Sequence, residues 1–155
     1  AVQQGGATEI TIHGRTKADG YRVDRINWEK IGEVRSRLTI PVIANGEIWR
    51  WEDGQACLKA TGCEDLMVGR GALNIPNLSL VLKQNCEKMP WVDIQKILQK
   101  YAEMENFHDS GFYHVARIKQ WLRYLNKEYP EADIVFERIK TSKTAEDLRE
   151  RLCQC

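Results

Sequence analysis

Neither sign of charge dominates this sequence. Its 23 lysines and arginines stand against 22 aspartates and glutamates, for a formal charge of +1. That balance excludes a bulk attraction to nucleic acid or membrane, so any nucleic-acid surface has to be a local patch. Cys-x-x-Cys spacing is absent as well. The five cysteines, at 57, 63, 86, 153 and 155, are an odd set that argues against a zinc site or a disulfide framework and for a reducing compartment. No apolar run approaches membrane-spanning length, and no signal-peptide pattern is visible. A cytoplasmic protein with no membrane partner is therefore expected. Internal repeats and low-complexity segments are also missing. What remains, 155 residues with 43% hydrophobic and 29% charged, suits one globular domain or two small ones.

Two short stretches carry most of the positive information: Ile43-Ala44-Asn45-Gly46-Glu47 and Leu66-Met67-Val68-Gly69-Arg70-Gly71. Each is an apolar run of strand length that stops at a glycine beside a polar or charged residue. A helix-length segment, residues 51–61, separates them. Strand, helix and strand, with polar residues at the carboxyl ends of both strands, is how an α/β barrel presents a ligand site. Glycines there admit close approach of backbone N–H groups to an anion, and Arg70 adds a permanent charge with forked donors. Phosphate is the natural ligand. A helical turn beginning at Gly71 would aim its N-terminus at the same anion.

The rest of the first half repeats the pattern. A strand is expected over residues 8–13, a helix over 27–38 capped by Asn27, a second strand over 42–44 and a third over 65–68, with Gly62 ending the intervening helix. Such units imply a parallel sheet with right-handed crossovers. Three strands cannot close a (β/α)8 barrel, which takes eight strands and typically ~250 residues. An open three-stranded parallel sheet also leaves two apolar edges unpaired. The expected architecture is the carboxyl half of a TIM barrel over residues 1–76, followed by an all-α helical bundle over 77–155. The chain is accordingly expected to be a fragment of a longer one, a reading to which the opening Ala1 adds. Helices are expected over 78–84, from 91 to about 104, over 112–128, over 132–141 and from Thr144, where Thr144-x-x-Asp147 has the form of a capping box.

His13 ends the first strand at the prospective rim. Alone it reads either as a hydrogen-bonded structural residue or, with Gly14-Arg15-Thr16 following, as a ligand contact. Asn45-Gly46-Glu47 is either a polar turn or, as favoured here, a set of hydrogen-bonding groups for a cofactor. Arg70 just after a buried strand is costly unless its charge is paired, and a phosphate would pair it. None of the cysteines is expected to act as a nucleophile or acid, and no metal ligands are assigned. Residues 110–127 hold Arg117, Lys119, Arg123 and Lys127 without an acidic residue. Arg117, Trp121 and Tyr124 fall along one flank of the helix, with His114 nearby. Cations and aromatics so mixed suit phosphate contact and base stacking; a solvated basic face is the plainer alternative.

Ile12-His13-Gly14-Arg15-Thr16, Pro41-Val42-Ile43-Ala44-Asn45-Gly46-Glu47-Ile48, Asp65-Leu66-Met67-Val68-Gly69-Arg70-Gly71-Ala72 and Tyr113-His114-Val115-Ala116-Arg117-Ile118-Lys119-Gln120-Trp121 together resemble bacterial tRNA-dihydrouridine synthases. The Arg-Ile-Lys-Gln-Trp stretch is most like the C-type subfamily. The resemblance runs over essentially the whole chain and implies the carboxyl half of such an enzyme: a TIM barrel carrying FMN, then a helical domain that grips tRNA. It implies reduction of the uracil C5=C6 bond, with NADPH reducing the flavin, N5 passing hydride to C6 and a cysteine delivering a proton to C5. The implied substrate is the D-loop uridine at tRNA position 16. Carried onto this chain, His13, Asn45, Gly46, Glu47, Gly69 and Arg70 would hold FMN, and Arg117, Lys119, Trp121 and Tyr124 would contact tRNA. The family's Asn-x-Gly-Cys-Pro motif, which carries the proton donor, and its flavin-binding lysine are absent here, so no catalytic residue is assigned. A monomer is expected. Two alternatives stand beside this: a dihydroorotate- or enoate-type flavin oxidoreductase, and a non-catalytic RNA-binding fragment.

Overall fold

A computed structural model describes residues 1–20, 22–104 and 112–153. Tyr21, the first two residues of the 110–127 segment and Cys155 lie outside the described residues. The chain forms two compact units, Ala1–Ala72 with Asn77–Glu87, and Leu73–Pro76 with Lys88–Cys155.

The first unit is α/β. Strands β1 (Ile10–His13), β2 (Val42–Asn45) and β3 (Asp65–Met67) form one parallel sheet in that order. Register pairs Ile12 with Ala44 and Leu66, and pairs His13 with Asn45 and Met67. Because side chains alternate across a strand, Ile10, Ile12, Val42, Ala44 and Leu66 share one face. That face packs against helices α1 (Trp28–Arg35) and α2 (Trp51–Thr61) in a core with Ile31, Ile48, Cys57 and Cys63. The opposite face carries Thr11, His13, Ile43, Asn45, Asp65 and Met67, with Met67 45% exposed.

Local chemistry accounts for the helix ends. The Asn27 side chain accepts from the Lys30 N–H at 2.9 Å, as an N-cap should. The helix stops at Arg35, short of the expected Leu38, as the Ser36 hydroxyl turns back onto the Glu33 carbonyl at 2.8 Å. Helix α2 has the expected bounds and ends on left-handed Gly62. After it comes α3 (Gly71–Asn74), a single turn, and then α4 (Leu78–Gln84). The expected boundary after residue 76 put α4 with the later helices, but α4 belongs to the first unit. Leu82 lies so close to Gly54 of α2 that a β-carbon there would strike it.

The second unit is helical. It contains α5 (Trp91–Glu103), α6 (Phe112–Leu125), α7 (Glu131–Ile139) and α8 (Ala145–Cys153). Ile94, Leu98, Ile118, Leu122, Leu125, Ile139 and Leu148, drawn from all four helices and at most 1% exposed, form its core. At the start of α8 the Thr144 hydroxyl accepts from the Asp147 N–H, which is half of the expected capping box. The Asp147 carboxylate instead accepts from Arg151, and this bond holds its pKa below the ordinary value. No described helix is long and apolar enough to cross a membrane.

Candidate functional site

The parallel register brings three strand ends to one rim. His13, Asn45, Gly46, Glu47, Gly69 and Arg70 all line a single cavity of about 180 Å³, with Ile48, Trp49, Met67 and Gly71. All six residues expected to hold a cofactor are therefore brought together. Gly46 is required there, because its φ of +124° is a conformation that side chains resist. Its carbonyl accepts from the Trp28 indole at 2.9 Å, which ties the turn to α1.

Glu47 is the electrostatic centre of this rim. Its carboxylate is 4% exposed and receives Arg15 at 2.7 Å and Arg70 at 3.2 Å on one oxygen. The other oxygen accepts from the Trp49 indole at 2.9 Å. Glu47 adopts φ +54°, so the backbone spends strain to turn this carboxylate inward. Trp49 is positioned in turn by Asp53, whose carboxylate accepts from the Trp49 and Arg50 N–H groups at 3.0 Å each. The Arg70 guanidinium also stands 5.3 Å from the Trp49 ring centroid.

These contacts revise the argument for Arg70. The sequence alone offers a phosphate as the partner of its charge, whereas Glu47 already pairs it. Two guanidinium groups, those of Arg15 and Arg70, share this one carboxylate. The helix-dipole argument is revised too, because α3 is one turn of four residues and sums little macrodipole. Arg15 is the residue that sequence reasoning quoted within a motif but left out of the site. Its side chain is 4% exposed, and its Nε and Nη1 are buried without a hydrogen-bond partner. Position was the available signal, since Arg15 stands two residues beyond the strand-end His13, whose Nδ1 accepts from the Arg15 N–H at 3.0 Å.

In the helical unit the expected RNA contacts divide. Arg117, Trp121 and Tyr124 line one cavity of about 320 Å³ with Leu73, Tyr101 and Gln120. Lys119 does not join them. Its ammonium donates to the Lys140 carbonyl at 2.8 Å and the Ser142 carbonyl at 2.6 Å, just past the end of α7. His114 is buried and stacks on Tyr101 with ring centroids 4.4 Å apart. Tyr101 and Gln120 were missed. Tyr101 comes from another helix, so no local spacing announced it.

The cysteines behave as packing residues where they are enclosed. Cys57 and Cys63 are buried, and burial, aided by the neighbouring Cys63, pushes the Cys57 thiol up to about 11. Cys86 and Cys153 are exposed. Among the described residues no group of three or more histidine, cysteine or acidic side chains is arranged to hold a metal ion.

Comparison with known proteins adds an independent line. A family model described as dihydrouridine synthase matches residues 1–154. A tRNA-dihydrouridine(16) synthase of Haemophilus influenzae is 80% identical over 98% of this chain, and one of Pasteurella multocida is 68% identical over the same share. In each case the match covers 49% of the relative. A tRNA-dihydrouridine(16) synthase of Escherichia coli is 55% identical over 96% of the chain and 47% of its own length. The chain thus spans about half the length of the curated relatives it matches.

Proposed function

This chain belongs to the dihydrouridine synthase family, and from that premise we propose that it supplies the phosphate-holding rim and the RNA-gripping helices of a tRNA-dihydrouridine synthase. The reaction is the FMN-dependent, NADPH-driven reduction of a D-loop uridine, uridine-16, to 5,6-dihydrouridine. The observation that carries this reading is the meeting of His13, Asn45, Gly46, Glu47, Gly69 and Arg70 in one cavity at the carboxyl ends of three parallel strands.

In this reading the sheet, with α4 in its unit, is the closing part of a (β/α)8 barrel, and the helices from residue 88 onward form a tRNA-binding domain. The half-covered sheet supports it. Parallel sheets are ordinarily buried on both faces, yet among the described residues no strand or helix covers the face that bears His13, Asn45 and the 45% exposed Met67. Closing a barrel would turn that face inward.

The residues fit the phosphate and ribityl end of FMN. About 180 Å³ is less than the ~300–1,000 Å³ of a complete small-molecule site, as expected when only one wall is present. Arg70 brings a guanidinium that is 42% exposed to the rim, and a β-carbon on Gly69 would meet nothing within 4 Å, so the space beside its backbone is open. Asn45 and the backbone of Gly46 and Glu47 offer the hydrogen-bonding groups, and His13 stands at the edge. Bound flavin supplies hydride to the uracil ring. This chain's own part is to hold and orient: Glu47 fixes Arg70, Trp49 shields the ion pair, and Arg117, Trp121 and Tyr124 retain the RNA. Proton delivery is assigned to none of its cysteines, in keeping with the raised pKa of Cys57. On this reading the protein is a monomer that works in the cytoplasm.

The test is complementation. The 155-residue chain alone, given FMN and NADPH, is expected to reduce no uridine, with amide protection concentrated between residues 91 and 140. Adding the portion of the Haemophilus influenzae relative that this chain does not cover should extend protection to the three strands and restore flavin colour. Uridine reduction by the chain alone, or no gain of flavin on mixing, contradicts the reading.

A further inference from the structure

Helix α6 lays out two neighbouring concavities rather than one basic face. The first, about 320 Å³, is walled by Tyr101, Trp121 and Tyr124, with Arg117 and Gln120 at its polar side. The second, about 490 Å³, is lined by Tyr113, Ala116, Lys119 and Arg123, and shares Arg117 and Gln120 with the first. Arg117 and Gln120 therefore form the partition. They are bonded to each other, Arg117 Nη1 donating to Gln120 Oε1 at 2.7 Å, and the guanidinium lies 4.7 Å from the Tyr113 ring centroid.

We propose that the first concavity is a slot for one unstacked RNA base and the second is a groove for the phosphates beside it, so that the helical unit holds a single-stranded stretch rather than duplex backbone alone. This rests on the tRNA reading above and deepens it by naming the conformation of RNA that the helix accepts.

The chemistry of the walls selects the occupant. A slot of this volume is the size of a small-ligand site. Trp121 spends its only polar group on the Leu73 carbonyl at 3.1 Å, so its ring surface is what remains for a ligand. Tyr101 is braced from behind by His114, stacked at an interplanar angle of 10°. Braced ring faces favour a flat partner, and every base has one. The Arg117–Gln120 bond occupies the Gln120 carbonyl, so both residues present N–H donors to the slot. Donors suit a base bearing ring carbonyls, such as uracil, better than adenine. Arg117 and Arg123 then face the second concavity with charge where the chain's phosphates would run.

The experiment measures binding of the 155-residue chain to a labelled ten-nucleotide oligouridine, to a ribose-phosphate oligomer of equal length lacking bases, and to whole tRNA. Oligouridine should bind about 5- to 150-fold more tightly than the baseless oligomer, the range that stacking of a base contributes. Tyr124→Leu should remove that advantage without changing the salt slope, and Tyr124→Phe should restore it. Arg123→Ala should lower the slope by about 0.7 for both oligomers. Equal binding of the two oligomers overturns the proposal, as does Tyr124→Phe binding no better than Tyr124→Leu, while tRNA binding in those cases leaves the functional reading standing. Failure to bind any of the three RNAs removes both.

Discussion

The strand-end rim and helix α6 handle charge in opposite ways. At the strand-end rim of the α/β unit it is buried and shared internally, with Glu47 and Arg15 each 4% exposed and Arg70 reaching out at 42%. In the helical unit cations rest on ring faces at the surface: Arg117 on Tyr113, Arg123 on Phe136 and Lys127 on Tyr124. A buried triad fixes geometry before a ligand arrives, because low dielectric penalises any rearrangement that separates the charges. Surface cations over rings are adaptable and screened by salt. The first arrangement suits a cofactor held in one pose; the second suits a polyanion that varies from one molecule to the next.

Breaking the triad should produce the largest effect. Glu47→Gln keeps an acceptor for the Trp49 indole but leaves the buried Arg15 without a counter-charge. Removing one member of a buried pair typically costs about 3–5 kcal/mol. Denaturant unfolding of the reconstituted whole enzyme should show that loss in the α/β unit and none in the helical unit. An unchanged midpoint would mean that the triad is screened by water and the contrast between the units is false.

Lys119 sharpens the comparison from the other side, since it is the cation of α6 that behaves like those of the first unit. Its two bonds to carbonyls beyond α7 make it a cap, so Lys119→Ala should destabilise the helical unit by roughly 1 kcal/mol. The salt slope of tRNA binding should stay as it was. A slope reduced by about 0.7–0.9 would return Lys119 to the RNA face.

The smallest effect is one of pH. A thiol held at about 11 in the folded chain and near 9 unfolded keeps its proton longer in the native state. Cys57 therefore leaves stability unchanged up to about pH 8, and its contribution is lost as pH rises from the unfolded value toward the folded one. At pH 8 a thiol reagent should modify the exposed Cys86 and spare Cys57 in the reconstituted whole enzyme. Equal rates would contradict the burial.

Much of the α/β unit was legible because its signals are local. Strand length, the glycine punctuation after β2 and β3, and the Asn27 cap lie within a few residues of the features they specify. The six rim residues could be chosen for the same reason, as parallel strands deliver their carboxyl ends to one edge whatever the register. What escaped was non-local. The Glu47–Arg15–Arg70 triad joins residues up to 55 positions apart, and no pattern in the sequence says which arginine a carboxylate will meet. Likewise, spacing put Lys119 on a basic face, but only the packing of α6 against α7 turns it onto the Ser142 carbonyl. The α4 helix went to the wrong unit because its fit against Gly54 is tertiary.

The most direct measurement pairs two substitutions in a reconstituted whole enzyme: Arg70→Ala and Arg117→Ala, each assayed for flavin retention and for tRNA affinity. Losing a charge-assisted contact to phosphate costs about 1.5–3 kcal/mol, or roughly ten- to a hundredfold in affinity. Arg70→Ala should shed flavin to that extent on dilution and still bind tRNA, while Arg117→Ala should keep its flavin and lose tRNA affinity. Full flavin occupancy in Arg70→Ala, read from visible absorbance in dilute protein, would contradict the assignment of the strand-end rim to the cofactor.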